Sequence, residues 1–199
     1  MKRLLISGFD PFDGEQINPS WEAVKRLPDR IGAYELSRIE LPTVYGLAAA
    51  RMLDAAKALL PDAIICIGQA GGRKAVTPEV IGINLREASI ADNAGVLCAG
   101  DPILPDGENA YFSTLPVRRM VEVIRGAELP ATLSYSAGAF VCNDLLYTLL
   151  HAYRNTSIPV GFIHVPYLPE QIKDASVPSL SLEKIVEALT LAIEVLPQN

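Results

Sequence analysis

One unbroken apolar run constrains the fold of this chain more than any other feature. Residues Ala63–Gly68 read Ala-Ile-Ile-Cys-Ile-Gly. A strand with one face in water alternates apolar and polar residues, whereas a strand covered on both faces is apolar throughout. Both faces are covered when helices pack on either side of a parallel sheet. The run therefore predicts a central strand of a parallel sheet between two helical layers.

Strand and helix patterns alternate along the rest of the chain. Further strands are predicted at Arg3–Ser7, Tyr34–Glu40, Val80–Leu85, Ala131–Ser136 and Pro159–Val165, and helices at Ser20–Leu27, Val44–Leu60, Val117–Ala127, Phe140–Arg154 and Ser181–Leu196. Ser20 is the predicted N-cap of the first helix. Because alternating strands and helices pair through right-handed crossovers, we expect an α/β fold, a single three-layer α/β/α domain over residues 1–199.

The connecting loops indicate where a site can lie. In open parallel sheets, sites form at the carboxyl ends of the strands, here in the loops after Ser7, Gly68, Ser136 and Val165. The segment Ala91–Asn109 is a long loop with several glycines and prolines. Loops of this length in compact domains are usually functional or disordered, so this one is expected to be mobile and to gate a site.

Composition excludes several classes of function. Lys and Arg total 17 against 23 Asp and Glu, a net charge of −6 without a basic cluster, so nucleic acid is not an expected partner. The apolar run near Met1 is too short for a signal peptide, and no segment approaches the ~20 apolar residues of a membrane span. Three widely spaced cysteines fit neither a disulfide framework nor a zinc site. Reduced thiols and no export signal predict a cytoplasmic protein.

The three cysteines differ in their surroundings. Cys66 lies inside the apolar run and is predicted to be a buried, inert thiol. Cys98 lies in the long loop, where an incidental role is expected. Cys142 follows a turn of small residues and comes near the start of a predicted helix. A helix N-terminus lowers the pKa of a thiol from ~8.5 and can hold an oxyanion. Cys142 is therefore either a nucleophile or a small residue that packs the turn.

A cysteine nucleophile needs a base, and the chain has two histidines. His151 comes nine positions after Cys142 on the same predicted helix, about 13 Å away along its axis. His164 lies near the end of the strand that follows this helix, and a parallel return strand ends at the sheet edge where the helix begins. Elimination leaves a Cys142–His164 dyad, with a buried structural histidine as the alternative.

Other chemistry is not indicated by the sequence. Spacing does not rank the 23 acidic residues as a third catalytic member. The glycine-rich loop Gly68–Arg73 matches neither the dinucleotide-binding nor the P-loop pattern. Two distant histidines do not predict a metal site.

Several motifs, in order along the chain, carry a resemblance to a known family. They are Gly8–Phe12, Asn18–Trp21, Gly68–Arg73, Thr77–Glu79, Ile83–Asn84, Ala110–Pro116, Ala137–Asn143 and Ile163–Pro166. With these motifs the sequence resembles pyroglutamyl peptidase I, a family of cysteine peptidases. The resemblance extends from Leu5 to about Gln171.

The resemblance implies a set of roles. Cys142 would be the nucleophile, His164 the base and Glu79 the acid that orients His164. The implied substrate pocket uses Phe9, Phe12, Gln69, Ile90, Phe140 and Val141. The family implies a phosphorylase/hydrolase-like fold, no metal or coenzyme, substrates that are peptides with an N-terminal pyroglutamate, and a homo-oligomer, either a tetramer or a dimer.

The sequence also departs from the family pattern. Val80 and Ser89 stand where arginines are common, Asp13 where glycine is common and Asp144 where histidine is common. Without an arginine at position 80, Glu79 is expected to be more basic and contacts beyond the scissile bond to be weaker. Two alternatives stay open: a nucleoside phosphorylase or hydrolase that shares the fold, and a catalytically silent binding homologue.

Overall fold

The computed structural model describes residues 1–197, and its elements follow the predicted alternation. The strands are β1 (Lys2–Phe9), β2 (Arg30–Ile31), β3 (Tyr34–Leu41), β4 (Ala63–Gln69), β5 (Thr77–Pro78), β6 (Ile81–Ile83), β7 (Arg86–Glu87), β8 (Ala99–Asp101), β9 (Ala110–Phe112) and β10 (Val160–Val165). The helices are α1 (Pro19–Arg26), α2 (Leu47–Leu59), α3 (Val117–Gly126), α4 (Val141–Tyr153) and α5 (Leu182–Glu194).

The main sheet has the strand order β2-β3-β1-β4-β10-β5. Its four inner strands β3, β1, β4 and β10 are parallel, whereas the short edge strands β2 and β5 run antiparallel to their neighbours. The apolar run lies in the middle as β4, and every residue of it is buried. The carboxyl ends of β1, β4 and β10 therefore meet at one edge of the sheet.

Helices cover both faces of this sheet. Alternate residues of β4 face opposite sides, so that Ile65 and Ile67 pack into one hydrophobic core while Ile64 and Cys66 pack into the other. Helices α1, α3 and α5 build the first core, and α2 and α4 build the second. The predicted three-layer α/β/α class is confirmed.

One predicted strand was wrong, and another differs in its bounds and in the sheet to which it belongs. Residues 131–136 make only isolated bridges, Val76 with Ala131 and Glu79 with Ser134. The edge position next to β10 is taken instead by β5, which the sequence pattern did not show. The predicted strand Val80–Leu85 is shorter, and its strand residues pair with β9 outside the main sheet. Periodicity cannot distinguish an apolar segment that packs outside the main sheet from a strand within it.

The N-cap of α1 is Asn18 and not Ser20, which corrects the prediction. The Asn18 side chain accepts from the Ser20 N–H at 3.1 Å and from its hydroxyl at 2.7 Å, with Pro19 at the first helical position. The Ser20 hydroxyl in turn accepts the Phe9 N–H at 3.0 Å. Proline is favoured at that position because its missing N–H would be unpaired there anyway. The start of α1 therefore fixes the end of β1.

The long loop is anchored at its beginning. The Asp92 carboxylate is 5% exposed and accepts N–H groups from Tyr45, Ala94 and Val96. Asn93 donates to the Asp10 carboxylate at 3.2 Å. Residues 92–96 are thus tied to the loop after β1 and to the start of α2, and the mobility of the segment stays a prediction.

Asp92→Ala is expected to lower the free energy of unfolding by about 1–3 kcal/mol, because three backbone N–H groups lose the buried carboxylate that accepts them. The measurement is urea denaturation together with amide hydrogen exchange at Tyr45, Ala94 and Val96. Asp101→Ala, at an exposed position of β8, is the matched control. Equal stability of the two variants would contradict the anchoring role of Asp92.

No helix within residues 1–197 is both long enough and apolar enough to cross a membrane.

Candidate active site

A cavity of about 290 Å³ opens at the carboxyl edge of the parallel strands. It is formed by the loops after β1, β3 and β4, by the end of β10 and by the segment that leads into α4. Its lining residues are Phe9, Phe12, Asn18, Thr43, Gln69, Ala70, Gly71, Arg73, Ala137, Gly138, Phe140, Cys142 and His164. Three of the four loops chosen from the sequence contribute directly to this lining, and the His164 side chain comes from the end of β10.

Cys142 is the second residue of α4 and lies beside the end of β4. A Cβ atom on Gly68 would lie 2.9 Å from the Cys142 sulfur and 2.6 Å from the Phe162 ring. Only glycine lets the strand approach the thiol this closely. Gly68 also pairs in register with His164 on β10, which places the histidine strand next to the thiol.

His164 is held by Glu79. The Nδ1 atom of His164 lies 2.7 Å from Oε1 of Glu79, and both side chains are buried. Because a carboxylate can only accept, Nδ1 carries the proton and Nε2 is left with a free lone pair. Glu79 reaches this position because β5 pairs antiparallel with β10 and the Glu79 N–H donates to Phe162 O at 2.9 Å.

Arg73 contacts the same carboxylate. Its Nη1 atom lies 2.7 Å from Oε1 of Glu79 and also donates to the Thr77 hydroxyl, while Nη2 donates to Ser136 O at 3.0 Å. Although Val80 stands where the resembled family commonly has arginine, Arg73 supplies Glu79 with a guanidinium partner from the glycine-rich loop. The same contacts fix the loop that carries Gly71 and Gly72 to the wall before α4.

The directions of the pKa shifts assign a charge state to each of the side chains of Cys142, His164 and Glu79. Burial and the nearby Glu79 carboxylate raise the pKa of the Cys142 thiol to about 12. Burial lowers the pKa of His164, and the hydrogen bond that His164 donates to Glu79 opposes this only in part. Burial alone would raise the pKa of Glu79, but His164, Ser134 and Arg73 outweigh it and lower the pKa. The substrate-free group is therefore a thiol, a neutral imidazole and a carboxylate.

The expected low thiol pKa at the helix start was therefore wrong. Apolar walls surround the sulfur, and desolvation of a thiolate there outweighs the favourable field of the helix N-terminus. The neutral Nε2 of His164 can accept the thiol proton during attack, so a preformed thiolate is not required.

Aromatic rings form one wall of the cavity. The Phe12 and Phe140 ring centroids are 6.0 Å apart, and Tyr45 meets Phe140 edge-on at 5.4 Å. Asp13, which follows Phe12, has φ of 54°. This left-handed backbone explains why the resembled family favours glycine there, and aspartate is one of the few other residues that tolerate it.

The start of α4 is fixed by an ion pair whose carboxylate is buried. The Asp144 side chain, fully buried in the first turn of α4, lies 2.6 Å from Nη2 of Arg86 and accepts the Gly46 N–H at 2.8 Å. These contacts join the helix that carries Cys142 to the start of α2. Asp144 thus has a structural partner in Arg86.

Most, but not all, of the pocket residues implied by the resemblance lie at the cavity. Phe9, Phe12, Gln69 and Phe140 line it. Val141 is fully buried in the core shared by α2 and α4, and Ile90 is half-buried; neither side chain is part of the lining. Val141 is adjacent to the nucleophile candidate, so its contribution can come from its backbone.

The other candidates lie elsewhere. Cys66 is fully buried and Cys98 is 8% exposed, and neither lines the cavity. His151 contacts the Tyr111 hydroxyl at 2.9 Å, outside the lining. Sequence reasoning gave no role to Arg73, Asn18 or Thr43, although the first two belong to recognised motifs. Among residues 1–197, no group of three or more His, Cys, Asp or Glu side chains is arranged to hold a metal ion.

Comparisons with known proteins agree on one family. A family model described as pyroglutamyl peptidase matches residues 2–199. The pyrrolidone-carboxylate peptidase of Enterococcus faecalis is 48% identical over 196 residues, which cover 96% of this chain and 92% of that relative. The relative of the same name from Levilactobacillus brevis is 49% identical over 195 residues, covering 96% of this chain and 95% of its own.

Solved structures give the same result. Pyroglutamyl peptidase I of Bacillus amyloliquefaciens superposes with a TM-score of 0.94 at 46% identity and covers 98% of this chain and 97% of its own. The pyrrolidone carboxyl peptidase of Thermococcus litoralis gives a TM-score of 0.93 at 34% identity, with 98% of this chain and 93% of its own covered. With sequence and structure matched over nearly its whole length, this chain belongs to the pyroglutamyl peptidase family.

Proposed function

We propose that this chain is a cysteine exopeptidase that hydrolyses the bond after an N-terminal pyroglutamyl residue. Cys142 is the nucleophile, His164 the general base and Glu79 the residue that orients His164. The observation that carries this proposal is the convergence of Cys142 and a Glu79-bound His164 on one cavity with phenylalanine walls.

The reaction follows from this geometry. His164 Nε2 takes the thiol proton while the Cys142 sulfur attacks the pyroglutamyl carbonyl carbon, giving a tetrahedral oxyanion. The C–N bond then breaks, His164 returns the proton to the leaving amine, and a thioester remains. Water, deprotonated by His164, attacks the thioester and releases pyroglutamate and the free thiol.

The start of α4 supplies the donors for the oxyanion. The first N–H groups of a helix have no partner within it. The N-cap is Phe140, whose side chain has no acceptor atom and makes no capping hydrogen bond. The N–H groups of Val141 and Cys142 are thereby left to stabilise a developing negative charge.

The cavity suits a neutral lactam ring. A pyroglutamyl residue has no free amine, so a charged recognition group would gain nothing from it. The flat ring packs against Phe9, Phe12 and Phe140, and polar groups such as Gln69 pair with its C=O and N–H. Proline lacks the carbonyl and would leave such a group unpaired.

The same proposal extends to the domain organisation, localisation, cofactor requirement and oligomeric state of the protein. We propose that residues 1–199 act as one domain, in the cytoplasm, without metal or coenzyme, and as a homo-oligomer that is a tetramer or a dimer. Support comes from the free Cys66, Cys98 and Cys142 and from the acidic net charge of −6, which suits neither nucleic acid nor an anionic membrane. The substrates are peptides with N-terminal pyroglutamate.

The alternatives receive less support. A phosphorylase needs basic residues for phosphate, and the cavity lining in residues 1–197 offers one cationic side chain, Arg73, which already pairs with Glu79. A silent binding homologue would not need Cys142, His164 and Glu79 together.

Turnover of a fluorogenic pyroglutamyl amide tests the proposal. We expect release of the fluorophore, its loss after treatment with iodoacetamide, and no release from the matching prolyl amide. Hydrolysis of both amides at equal rates, or full activity after complete alkylation of Cys142, would contradict the proposed function.

Glu79→Gln is expected to lower kcat by about 10²- to 10⁴-fold, less than loss of the nucleophile or base. The amide can donate to Nδ1 and thereby stabilise the wrong imidazole tautomer. Steady-state kinetics on the pyroglutamyl amide provide the measurement. Glu122→Gln, an exposed carboxylate on α3, is the matched control. Wild-type kcat in a folded Glu79→Gln protein would refute the orienting role.

The pH profile of kcat/KM should show an acid limb below pH 6.5. The reaction needs neutral His164, and burial lowers the pKa of His164 below its usual 6.5. Activity is therefore retained as pH falls to that value and is lost only as pH drops through the depressed pKa. Glu79→Gln removes the interaction that raises this pKa, so its limb should lie at lower pH. A wild-type limb above pH 6.5, or one that moves upward in Glu79→Gln, would contradict the assignment.

A further inference from the structure

The orientation of the Gln69 side-chain amide is determined by a residue outside the cavity. Gln69 is the last residue of β4, is 8% exposed and lines the cavity. Its Oε1 atom accepts from Nε2 of Gln171 at 2.9 Å. Gln171 lies in a single helical turn, Pro169–Gln171, that follows β10, and it is absent from the cavity lining.

The Gln171 amide itself has only one orientation that satisfies its neighbours. Its Oε1 accepts the backbone N–H of Leu168 at 3.0 Å, and an N–H can only donate. Its Nε2 faces the carbonyl oxygen of Ile17 and the carboxylate of Glu15, both at 3.4 Å, and these groups can only accept. Exchange of the two Gln171 amide atoms would set donor against donor at one end and acceptor against acceptor at the other.

A fixed Gln171 fixes Gln69. Because Gln171 presents an N–H, the Gln69 atom that meets it must be the carbonyl oxygen. The Gln69 NH₂ group is then directed away from Gln171, and within residues 1–197 it has no protein hydrogen-bond partner. Since Gln69 lines the cavity, that NH₂ group is left to donate to a molecule bound there.

We infer that Gln171 is a specificity-determining positioning residue, which holds the Gln69 NH₂ group toward the cavity as a donor to the ring carbonyl of the substrate lactam. This inference rests on the proposed function and adds to it the source of the preference for a ring that carries C=O. A freely rotating Gln69 amide could present either its oxygen or its NH₂, and the oxygen would repel the lactam carbonyl. The Gln69–Gln171 contact removes that ambiguity before the substrate arrives.

Gln171→Glu is the most direct test. A carboxylate can still accept the Leu168 N–H, but it cannot donate to Gln69 Oε1, so the Gln69 amide is expected to turn and present its oxygen to the cavity. We expect kcat/KM for a pyroglutamyl amide to fall about 10- to 100-fold, mainly through KM, with a parallel rise in the inhibition constant of 2-pyrrolidone. Gln171→Met, whose side chain neither donates nor accepts a strong hydrogen bond, should lower kcat/KM less than Gln171→Glu does. Glu170→Gln, an exposed neighbour on the same turn, is the matched control.

Two further readouts separate positioning from a loss of structure. The rate of Cys142 alkylation by iodoacetamide should be the same in Gln171→Glu and wild type, because the thiol and His164 are not in contact with Gln171. In a Gln69→Ala background, Gln171→Glu should change kcat/KM by less than about twofold, since its effect acts through Gln69.

The inference would be overturned if Gln171→Glu lowered kcat/KM equally in the wild-type and Gln69→Ala backgrounds, or if it left the inhibition constant of 2-pyrrolidone at the wild-type value. Either result would leave the proposed function in place. Absence of pyroglutamyl amide turnover by the wild-type protein would overturn both.

Discussion

Cys142→Ala is expected to lower kcat/KM for a pyroglutamyl amide by at least about 10⁴-fold, because no other group can form the thioester. The fold should persist, since the residue only borders the core of α2 and α4. The measurement is steady-state kinetics combined with circular dichroism. Cys66→Ala is the matched control, a second cysteine on the same side of the sheet that is fully buried.

Residual activity separates nucleophilic from structural roles. Cys66→Ala should keep wild-type chemistry and lose only stability, through the small void that it leaves in the core. Substantial turnover by a folded Cys142→Ala protein would contradict the assignment of the nucleophile. Loss of turnover in Cys66→Ala, with Cys142 still open to alkylation, would also contradict it.

His164→Ala should be nearly as damaging, with kcat lowered by about 10⁴-fold, because nucleophile and base act as one unit. The thiol has its pKa raised to about 12 and cannot attack as a thiolate near neutral pH without a base. His151→Ala is the matched control, since His151 contacts Tyr111 instead of the cavity. Steady-state kinetics of both variants near neutral pH provide the measurement.

The pH dependence adds a second readout for His164→Ala. Without the base, residual activity should rise with pH as the thiol ionises on its own. A large loss in His151→Ala with little loss in His164→Ala would contradict the role of His164.

The architecture of the sheet was predictable from local patterns. The apolar run that became β4 and the alternation of helices with strands indicate three layers without knowledge of tertiary contacts. The strand predicted at residues 131–136 was wrong because the segment that pairs with the edge of β10 is determined by contacts between distant parts of the chain. Thr77 and Pro78 occupy the edge of β10 instead, and two residues are too few to give a periodic signal.

Part of the site was also predictable. Chain topology alone brings Cys142 and His164 to one sheet edge, and Glu79 entered through the family resemblance. The thiol pKa was predicted in the wrong direction because a sequence shows the helix start but not the burial that outweighs its field. Arg73 and Gln171 act through contacts that link distant loops, and such contacts have no spacing rule in the sequence.

In the proposed mechanism, Cys142 is the one thiol that meets the bound pyroglutamyl carbonyl. The most direct test is peptide mapping after inactivation by a pyroglutamyl chloromethyl ketone, with and without free pyroglutamate. We predict that activity falls in proportion to one adduct per chain, that the adduct lies on Cys142, and that pyroglutamate slows its formation. An adduct on Cys66 or Cys98, or full activity in protein alkylated at Cys142, would contradict the account.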